Sequence, residues 1–398
     1  MIKQMFKLIW NRKRRNFLMM IGIFISFFAL FLVMTTINYN IGNYLKPLGF
    51  DYRNVWYISM DWKNQSKEEI TTTMRQVERA LESIPEIEQF TYSRSYLFAP
   101  AVMSMDDITY QGKTVSAHLM ESGDEFANLL KMDLVAGRWF DKRDNVSVRR
   151  PVVINRDLNE KLFGDIDPVG VIFERDDKEY EVIGLVDEFR NSGQLTGTKK
   201  VMFVRVEIDD ADGWDEFASS EFGRLLIRVK PGADIQLEER ILKQLSSVAR
   251  DWSLKLSRLE DVRSSANRTS MIIPIILAII CGFLIINVAL GLFGIIWYNT
   301  NRRKAEIGLR RAMGSTVKQI YSQIIGEALV LSIFGIGIGL FFAIQFPLLG
   351  LIPFISNATY FVSIIISILA IIGITALCAL YPSALAANLQ PAIALHDE

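Results

Sequence analysis

Four long apolar segments divide the chain into parts of different character. The first, Phe17 to Ile37, contains 21 residues without a charge. Further uncharged runs cover Met271–Tyr298, Ile320–Leu349 and Thr359–Tyr381, and Glu327 is the one charged residue inside any of them. About 20 apolar residues are enough for a helix to cross the hydrocarbon of a bilayer. The pattern therefore predicts four transmembrane helices.

A cleaved signal peptide is the alternative reading of the first run. A signal peptide has a shorter apolar region that ends in a small-residue cleavage site. The stretch Met34–Ile37 (MTTI) offers no such site. This favours a retained membrane anchor.

The distribution of basic residues predicts the orientation. Residues 1–38 carry six Lys or Arg and no acid, whereas the short loop Gly350–Ala358 carries no charge. Cationic loops stay on the cytoplasmic side. We therefore expect both termini inside, and residues 39–270 and the short loop outside. A second basic group lies between the second and third spans: Arg302, Arg303, Lys304, Arg310, Arg311 and Lys318.

The hydropathy and charge patterns together define the expected domain organisation. In chain order the parts are a basic cytoplasmic N-terminus (1–16), span one (17–38), an external domain (39–270), span two (271–298), a cytoplasmic helix (299–318), span three (319–349), a short external loop (350–358), span four (359–381) and a cytoplasmic C-terminus (382–398).

The external segment begins and ends with the same order of elements. Asn54–Trp62 is typical of a strand, Ser66 and Glu69 form a capping box, and apolar residues at helical spacing predict a helix to about Ser83. Near the end of the segment, Arg224–Lys230 and Trp252–Leu259 predict strands on either side of a second helix, which Asp234 caps.

After the first helix, Ile87–Ser95 resumes as extended chain, so two βαβ units flank a middle piece at about residues 100–215, which is richer in turns and strands. The predicted fold class is an α-helical membrane protein with four transmembrane helices and an extracytoplasmic α+β domain of two subdomains. One subdomain is a split βαβ pair, and the other is an inserted β-rich subdomain.

Composition excludes several function classes for the external domain. Residues 39–270 carry a net charge of −8 with no basic face, which excludes nucleic acid as a partner. Cys281 and Cys378 both lie in apolar runs, so the external domain has no disulfide. His118 is its only histidine, which argues against a histidine-based triad or a zinc site. We expect no catalytic group, metal or cofactor.

One short fragment resembles the end of a phosphate-binding loop. In Gly112-Lys113-Thr114 the required glycine five residues before Gly112 is replaced by Asp107. We therefore interpret the fragment as a turn.

Small residues occur within the apolar runs. Gly335 and Gly339 form a GxxxG pair in span three, and Gly291 and Gly294 lie in span two. Small residues let membrane helices approach closely. The pattern leaves open whether the neighbouring helix belongs to the same subunit or to a second one.

The segment after span two combines charge pairs with turn signals. Arg302 and Glu306, and then Glu306 and Arg310, are spaced for ion pairs along one helical face. Gly314 can end that helix in a left-handed conformation, and Ser315 can cap the next one. The pattern predicts a short amphipathic helix, around residues 305–313, that turns sharply into span three.

This segment resembles the signature of the MacB/FtsX-like permeases, the membrane subunits of a group of ABC transporters. The family pattern is approximately R-x-x-E-I-G-x-R-x-A-x-G followed by a glutamate in the next span. The residues that fill it are Arg303, Glu306, Ile307, Gly308, Arg310, Ala312, Gly314 and Glu327. Further similar stretches are Gly137-Arg138, Leu162–Gly164, Pro168–Gly170, Tyr180–Gly184 and the ending Tyr381–Ala392.

The resemblance implies a dimer of permease chains, each docked on a separate cytoplasmic ATPase. Some family members carry a fused ATPase, and here we expect a separate polypeptide. The expected ATPase-coupling residues are Arg302, Arg303, Glu306, Ile307, Gly308, Arg310, Arg311 and Gly314. Glu327 is expected to have a structural partner within the membrane rather than a role in proton transfer.

The resemblance further implies mechanotransmission in the cytoplasmic (inner) membrane. ATP-driven closure of the ATPase pair would tilt the spans and change the separation of the external domains. The expected outcome is efflux or export of peptides, antibiotics or other amphipathic molecules, with a periplasmic adaptor protein and an outer-membrane channel as candidate partners. The alternative is a non-transport transmitter that activates a periplasmic hydrolase, senses an antibiotic or handles lipoproteins.

Overall fold

The computed structural model describes residues 13–63, 65–98, 105–164, 166–175, 178–209, 211–218, 222–302 and 304–387. They form two compact units, one of residues 43–270 and one of the described residues on either side. The helices are α1 (Lys13–Tyr44), α2 (Lys67–Glu82), α3 (Phe126–Leu129), α4 (Arg156–Leu162), α5 (Ala211–Ala218), α6 (Ile235–Val248), α7 (Leu259–Arg302), α8 (Lys304–Ala312), α9 (Val317–Leu349) and α10 (Asn357–Ala387). The strands are β1 (Val55–Asp61), β2 (Ile87–Tyr92), β3 (Met105–Tyr110), β4 (Lys113–Ser122), β5 (Leu134–Gly137), β6 (Arg150–Asn155), β7 (Ile172–Arg175), β8 (Lys178–Val186), β9 (Val201–Arg205), β10 (Phe222–Val229) and β11 (Ser253–Arg258).

Four of the described helices are long and apolar enough to cross a membrane, which confirms the predicted number. The segments that qualify are Met20–Tyr44, Leu259–Arg302, Val317–Leu349 and Asn357–Leu385. Helices α9 and α10 form an antiparallel hairpin around the left-handed Gly350. Ile23, Phe27 and Phe31 of α1 are buried in the same apolar cluster.

The first external subdomain is a four-stranded antiparallel sheet of order β11-β1-β10-β2. The two βαβ units are split, because β10 lies between β1 and β2, and β1 lies between β10 and β11. Ile58 pairs with Leu225 on one side and with Leu256 on the other. Helices α2 and α6 bury Met74 and Ile241 in the core of this subdomain. The predicted split βαβ pair is confirmed.

Both helices of this subdomain begin at the predicted caps. The Ser66 side chain accepts a hydrogen bond from the Glu69 amide, and the Glu69 carboxylate accepts one from the Ser66 amide at 2.9 Å. The Asp234 carboxylate accepts from the amides of Gln236 and Leu237, both at 3.1 Å. Each cap satisfies amides that the first helical turn leaves without a partner.

The inserted subdomain is a seven-stranded mixed sheet. Its order is β3-β4-β9-β6-β8-β5, with β7 on β8, and the β4–β9 and β6–β8 pairs are parallel. The sequence pattern indicated a middle piece rich in turns and strands, whereas the structure also has a helix there, α4, which ends at Leu162 and whose N-cap is Asn155. The Asn155 side chain accepts from the Leu158 amide and thereby starts a helix directly after strand β6.

The fragment that resembles a phosphate loop is the turn of a β-hairpin. Gln111 and Gly112 both have positive φ, 49° and 79°, between strands β3 and β4. Two successive positive φ values characterise the tight turn that matches the twist of paired strands. The prediction of a turn is confirmed.

The two external subdomains share one apolar cluster. Tyr57 and Leu226 of the first sheet pack in it with Phe126 and Phe203 of the inserted subdomain. The Tyr57 hydroxyl donates to the Ser95 carbonyl and accepts from the Leu97 amide in the connecting segment. The insertion is thus joined to its host through a common core as well as through the chain.

Candidate coupling site

Helix α8 and the turn after it form the segment on which the family signature falls. Gly314 has a φ of 96°, a left-handed value that residues with a Cβ rarely adopt. The Ser315 amide donates to the Arg310 carbonyl at 2.9 Å and closes the end of α8. The helix therefore stops where the sequence predicts.

The cap of the next helix is displaced by one residue from the prediction. Thr316, rather than Ser315, is the N-cap of α9. Its hydroxyl accepts from the Gln319 amide at 3.3 Å, and the Gln319 side chain accepts from the Thr316 amide at 2.9 Å. The two bonds form a capping box. Ser315 could not form one, because no glutamine or glutamate lies three residues after it.

The apolar residues of α8 point in two directions. Ile307 is only 8% exposed and packs against Ile320 at the start of α9. Leu309 and Met313, by contrast, are 51% and 72% exposed. One face of the helix therefore holds α9, while another presents apolar side chains to the surroundings.

A chain of hydrogen bonds runs from α8 into span three. Arg310 donates to the Glu306 carboxylate at 2.6 Å and to the Gln323 side-chain oxygen at 2.7 Å. Gln323 in turn donates to the Glu327 carboxylate at 3.3 Å. The predicted ion pair between Glu306 and Arg310 is present, and Glu327 has a structural polar partner. Gln323 is a member of this site that sequence reasoning missed, although it lies one turn before Glu327.

The other predicted residues are placed as follows. The Arg302 guanidinium lies over the Tyr298 ring, 5.5 Å from its centroid. Gly308 is buried, and Arg311 lies in α8. Arg303 falls outside the described residues.

Gly335 and Gly339 lie against the first span of the same chain. A Cβ on Gly335 would be 2.7 Å from Ile23 Cγ2, and one on Gly339 would be 2.3 Å from Phe27 Cδ1. A Cβ on Gly291 or Gly294 would meet nothing within 4 Å. For Gly335 and Gly339, the neighbouring helix thus belongs to the same subunit.

Hydroxyl groups link the spans at two further points. Ser332 of α9 and Thr375 of α10 are 2.8 Å apart, and Asn38 of α1 donates to Ser363 of α10 at 2.9 Å. All three hydroxyl-bearing residues are buried. Ser363 and Ser367 are four residues apart, a spacing that places these two on one helix face and was readable from the sequence.

The described part of the external domain offers no catalytic grouping. His118 is buried on strand β4, and burial together with Lys199 and Lys200 lowers its pKa to about 4. It is therefore uncharged at neutral pH. No three His, Cys, Asp or Glu side chains in the described ranges converge closely enough to hold a metal ion.

Comparison with known families accounts for most of the chain. A family model described as the MacB-like periplasmic core domain matches residues 16–245. A second, described as the FtsX-like permease C-terminal domain, matches residues 271–391. The second match includes α8, the turn at Gly314 and Glu327.

Individual relatives are distant in sequence. The macrolide export ATP-binding/permease protein MacB 2 of Aeromonas hydrophila is 25% identical over 97% of this chain and 59% of its own length. An ABC transporter permease of Bacillus subtilis, YknZ, is 23% identical over 58% of each chain. This chain thus spans less than two thirds of either relative. The crystal structure of the periplasmic region of MacB from Actinobacillus actinomycetemcomitans is 13% identical, with a TM-score of 0.38, over 56% of this chain and 97% of that one.

Proposed function

This chain belongs to the family of MacB/FtsX-like ABC transporter permeases, and from that premise we propose that it couples a cytoplasmic ATPase to movement of its external domain. The chain itself is a non-catalytic membrane subunit, and the ATPase is a partner polypeptide. Helix α8 is the element that contacts this partner.

The surface of α8 is the observation that carries the proposal. Leu309 and Met313 are exposed apolar side chains, and the paired charges of Glu306 and Arg310 lie on the same short helix, each about half exposed. An apolar contact rimmed by charges is the usual composition of a protein–protein interface. Arg310 and Arg311 would make charge-assisted hydrogen bonds to acidic groups of the ATPase.

The hydrogen bonds from Arg310 connect the proposed ATPase contact on α8 to residues of span three. When the ATPase displaces Arg310, Gln323 and then Glu327 change partners, about two and three turns into α9. Breaking hydrogen bonds to a charged group costs about 1.5–3 kcal/mol. That cost is large enough to bias α9 between two arrangements.

Membership of the family supports a proposal for the transported substrate and for the assembly. We propose a dimer of permease chains in the cytoplasmic membrane, with both termini inside, that uses mechanotransmission for efflux or export. The Aeromonas relative is named for macrolide export, which supports amphipathic molecules such as peptides or antibiotics as substrates. In this proposal the external domain acts through an adaptor protein on an outer-membrane channel.

The experiment reverses the charge at Glu306. In Glu306→Lys the new ammonium would face Arg310, which in the unmodified chain donates to the Glu306 carboxylate at 2.6 Å. We expect the ATPase to bind about tenfold more weakly and its stimulation by the permease to be lost. Binding is measured by co-purification from detergent, and stimulation by ATP hydrolysis of the reconstituted complex.

The matched control is Glu239→Lys, which reverses an exposed carboxylate on α6 of the external domain. It should bind and stimulate the ATPase like the unmodified chain. If Glu306→Lys binds and stimulates as well as this control, α8 is not the coupling element.

A further inference from the structure

A cavity of about 560 Å³ opens along the edge strand β2 of the external domain. Five glutamates contribute to its wall, and none of the described residues that line it is basic. Leu81, Ile87 and Phe90 supply an apolar part of the wall. The volume lies within the range of roughly 300–1,000 Å³ that holds small organic molecules. The five glutamates are Glu78, Glu82, Glu88, Glu125 and Glu207.

The wall also contains a buried hydroxyl without a partner. Thr91 is only 3% exposed, and its Oγ1 has no hydrogen-bond partner among the described residues. A Cβ added to Gly123 would lie 2.6 Å from Thr91 Oγ1 and 2.7 Å from Glu207 Oε1, so both oxygens face the same point above Gly123. Buried polar groups are nearly always hydrogen-bonded. The Thr91 hydroxyl therefore has hydrogen-bonding capacity that the described residues do not use, and it lies beside Glu207 Oε1, which accepts from the Asp124 amide.

Among the described residues, neither Glu207 nor Glu78 has a direct cationic partner. The Glu207 carboxylate accepts from the Asp124 amide at 2.8 Å, and burial, the largest cause, raises its pKa to about 8. Glu78 accepts from the Tyr92 hydroxyl at 2.5 Å, and burial also raises its pKa. The neighbouring cations are paired elsewhere, Arg205 with Asp124 at 2.7 Å and Arg75 with Asp209 at 3.4 Å.

We propose that this cavity binds a linear oligoamine, with one ammonium group donating to Glu207 and Thr91 and further ammonium groups meeting the other glutamates. The methylene spacers of such a molecule would lie on Leu81, Ile87 and Phe90. The cavity lies in the external domain and is independent of the coupling role of α8, so either proposal can fail alone.

The distribution of the acids over several elements selects this ligand over two others. A single metal ion needs three or more ligands at one point, and nowhere in the described chain do side chains that could hold one converge. A monoamine would neutralise one or two carboxylates and leave the rest repelling each other. Several cations on one apolar chain match carboxylates that come from α2, β2 and the segments after β4 and β9.

The test is titration of the full chain, in a nonionic detergent, with spermine as the probe. Isothermal titration calorimetry should give one site per chain, and butylamine should bind at least about tenfold more weakly than spermine. Glu207→Gln should weaken spermine binding about tenfold. The fold should tolerate this amide, because burial already keeps the Glu207 carboxyl largely protonated at neutral pH.

The variant Thr91→Val tests whether the Thr91 hydroxyl binds the ligand or has a structural role. Because the Thr91 hydroxyl has no partner in the described structure, its loss should leave the unfolding temperature unchanged or raise it. The same change should weaken spermine binding about fivefold. A purely structural threonine would give neither result.

The pH dependence gives a further readout. Asp124, Glu78 and Tyr92 surround Glu207 together with the guanidinium of Arg205. The bound ammonium requires an ionised Glu207, so spermine affinity should rise from pH 6.5 to 8.5 with release of a proton. Glu207→Gln should abolish the proton release.

The control is Glu239→Gln, which removes an exposed carboxylate outside the cavity and should leave spermine affinity within about twofold, as expected of a surface charge. Equal weakening by the Glu239 and Glu207 variants would show non-specific attraction and overturn the proposal. Unaltered spermine binding in Thr91→Val, or butylamine binding as tightly as spermine, would also overturn the proposal. So would tetralysine binding more tightly than spermine, because that result would assign the cavity to a basic peptide.

Discussion

At the scale of single residues, Gln323 is the centre of the hydrogen bonds that run from α8 into span three. An acid within a membrane span is costly and normally has a partner. Gln323 donates to Glu327 while it accepts from Arg310. One amide therefore links a charge on α8 to an acid inside the span, and its removal separates the two without changing either charge.

We expect Gln323→Leu to uncouple the complex while leaving it assembled. The ATPase should co-purify normally, because Glu306, Leu309 and Met313 are unchanged. Its stimulation by the permease should fall about tenfold, the equivalent of lost hydrogen bonds to charged groups. The control is Gln345→Leu, since the Gln345 amide contacts only the Phe341 carbonyl of its own helix among the bonds described. Normal stimulation in Gln323→Leu would rule out this route.

His118 makes the external domain sensitive to acid. Its pKa in the fold is about 4, below the ordinary value of 6.5, so the unfolded chain takes up the proton first as the pH falls. The contribution of His118 to stability is therefore level above about pH 7.5 and declines between pH 6.5 and 4.

This sign predicts the behaviour of His118→Gln. The unfolding temperatures of the two proteins, measured in detergent from pH 7.5 to 4.5, should diverge, with the unmodified chain losing more. Titration of carboxylates acts on both proteins and cancels in the difference. Parallel curves would show that His118 does not titrate differently in the folded and unfolded states.

At the scale of elements, the glycines of α9 set how closely it packs on α1. Gly339 lies against Phe27, whereas a Cβ on Gly337, two residues earlier, would meet nothing within 4 Å. Overpacking a close contact costs about 1–3 kcal/mol. We expect Gly339→Ala to lower the unfolding temperature in detergent, and Gly337→Ala to leave it unchanged or raise it. Equal behaviour of the two variants would place the α1–α9 contact elsewhere.

Elements with a strong local signal were predictable from the sequence. The capping box at Ser66, the cap at Asp234 and the left-handed turn at Gly314 all depend on residues within three positions of each other. Helix α4 was missed because seven residues are too few for a helical period to emerge. The cap of α9 was misplaced because Ser315 and Thr316 are both good caps, and only Gln319 distinguishes them.

Features that depend on distant parts of the chain were not readable. In Arg224–Lys230 the alternation suggests that Arg228 faces water, yet it is buried and donates to the Leu129 and Asp51 carbonyls. The parallel strand pairs, the link through Gln323 and the cavity beside Thr91 likewise join residues far apart in sequence. The periodicity of a segment depends only on residues near one another along the chain. It therefore carries no information about burial by a segment that is distant in sequence.

At the scale of the whole molecule, orientation is the expectation with the widest consequences. The basic groups predict that α8 lies inside the cell and that residues 39–270 lie outside. Val148 in the external domain and Met313 beside α8 are both highly exposed. In a background with Cys281 and Cys378 replaced by serine, Val148→Cys should react with a membrane-impermeant maleimide in intact cells. Met313→Cys should react only after permeabilisation. The reverse pattern would invert the topology.

The split βαβ sheet has a consequence for how the protein is made. Among the described strands, β1 pairs with β10 and β11 and with no other, as in Val55 with Arg228 and Trp56 with Arg258. During synthesis, β1 therefore has no partner until nearly the whole external domain has been made. The inserted sheet is complete earlier, since β3 to β9 follow one another along the chain. Pairing of distant segments is slow, and unpaired strands are prone to aggregate. During biogenesis there is therefore an interval in which the inserted subdomain is folded while the first subdomain is still incomplete and prone to aggregate. This interval ends when β11 has been made.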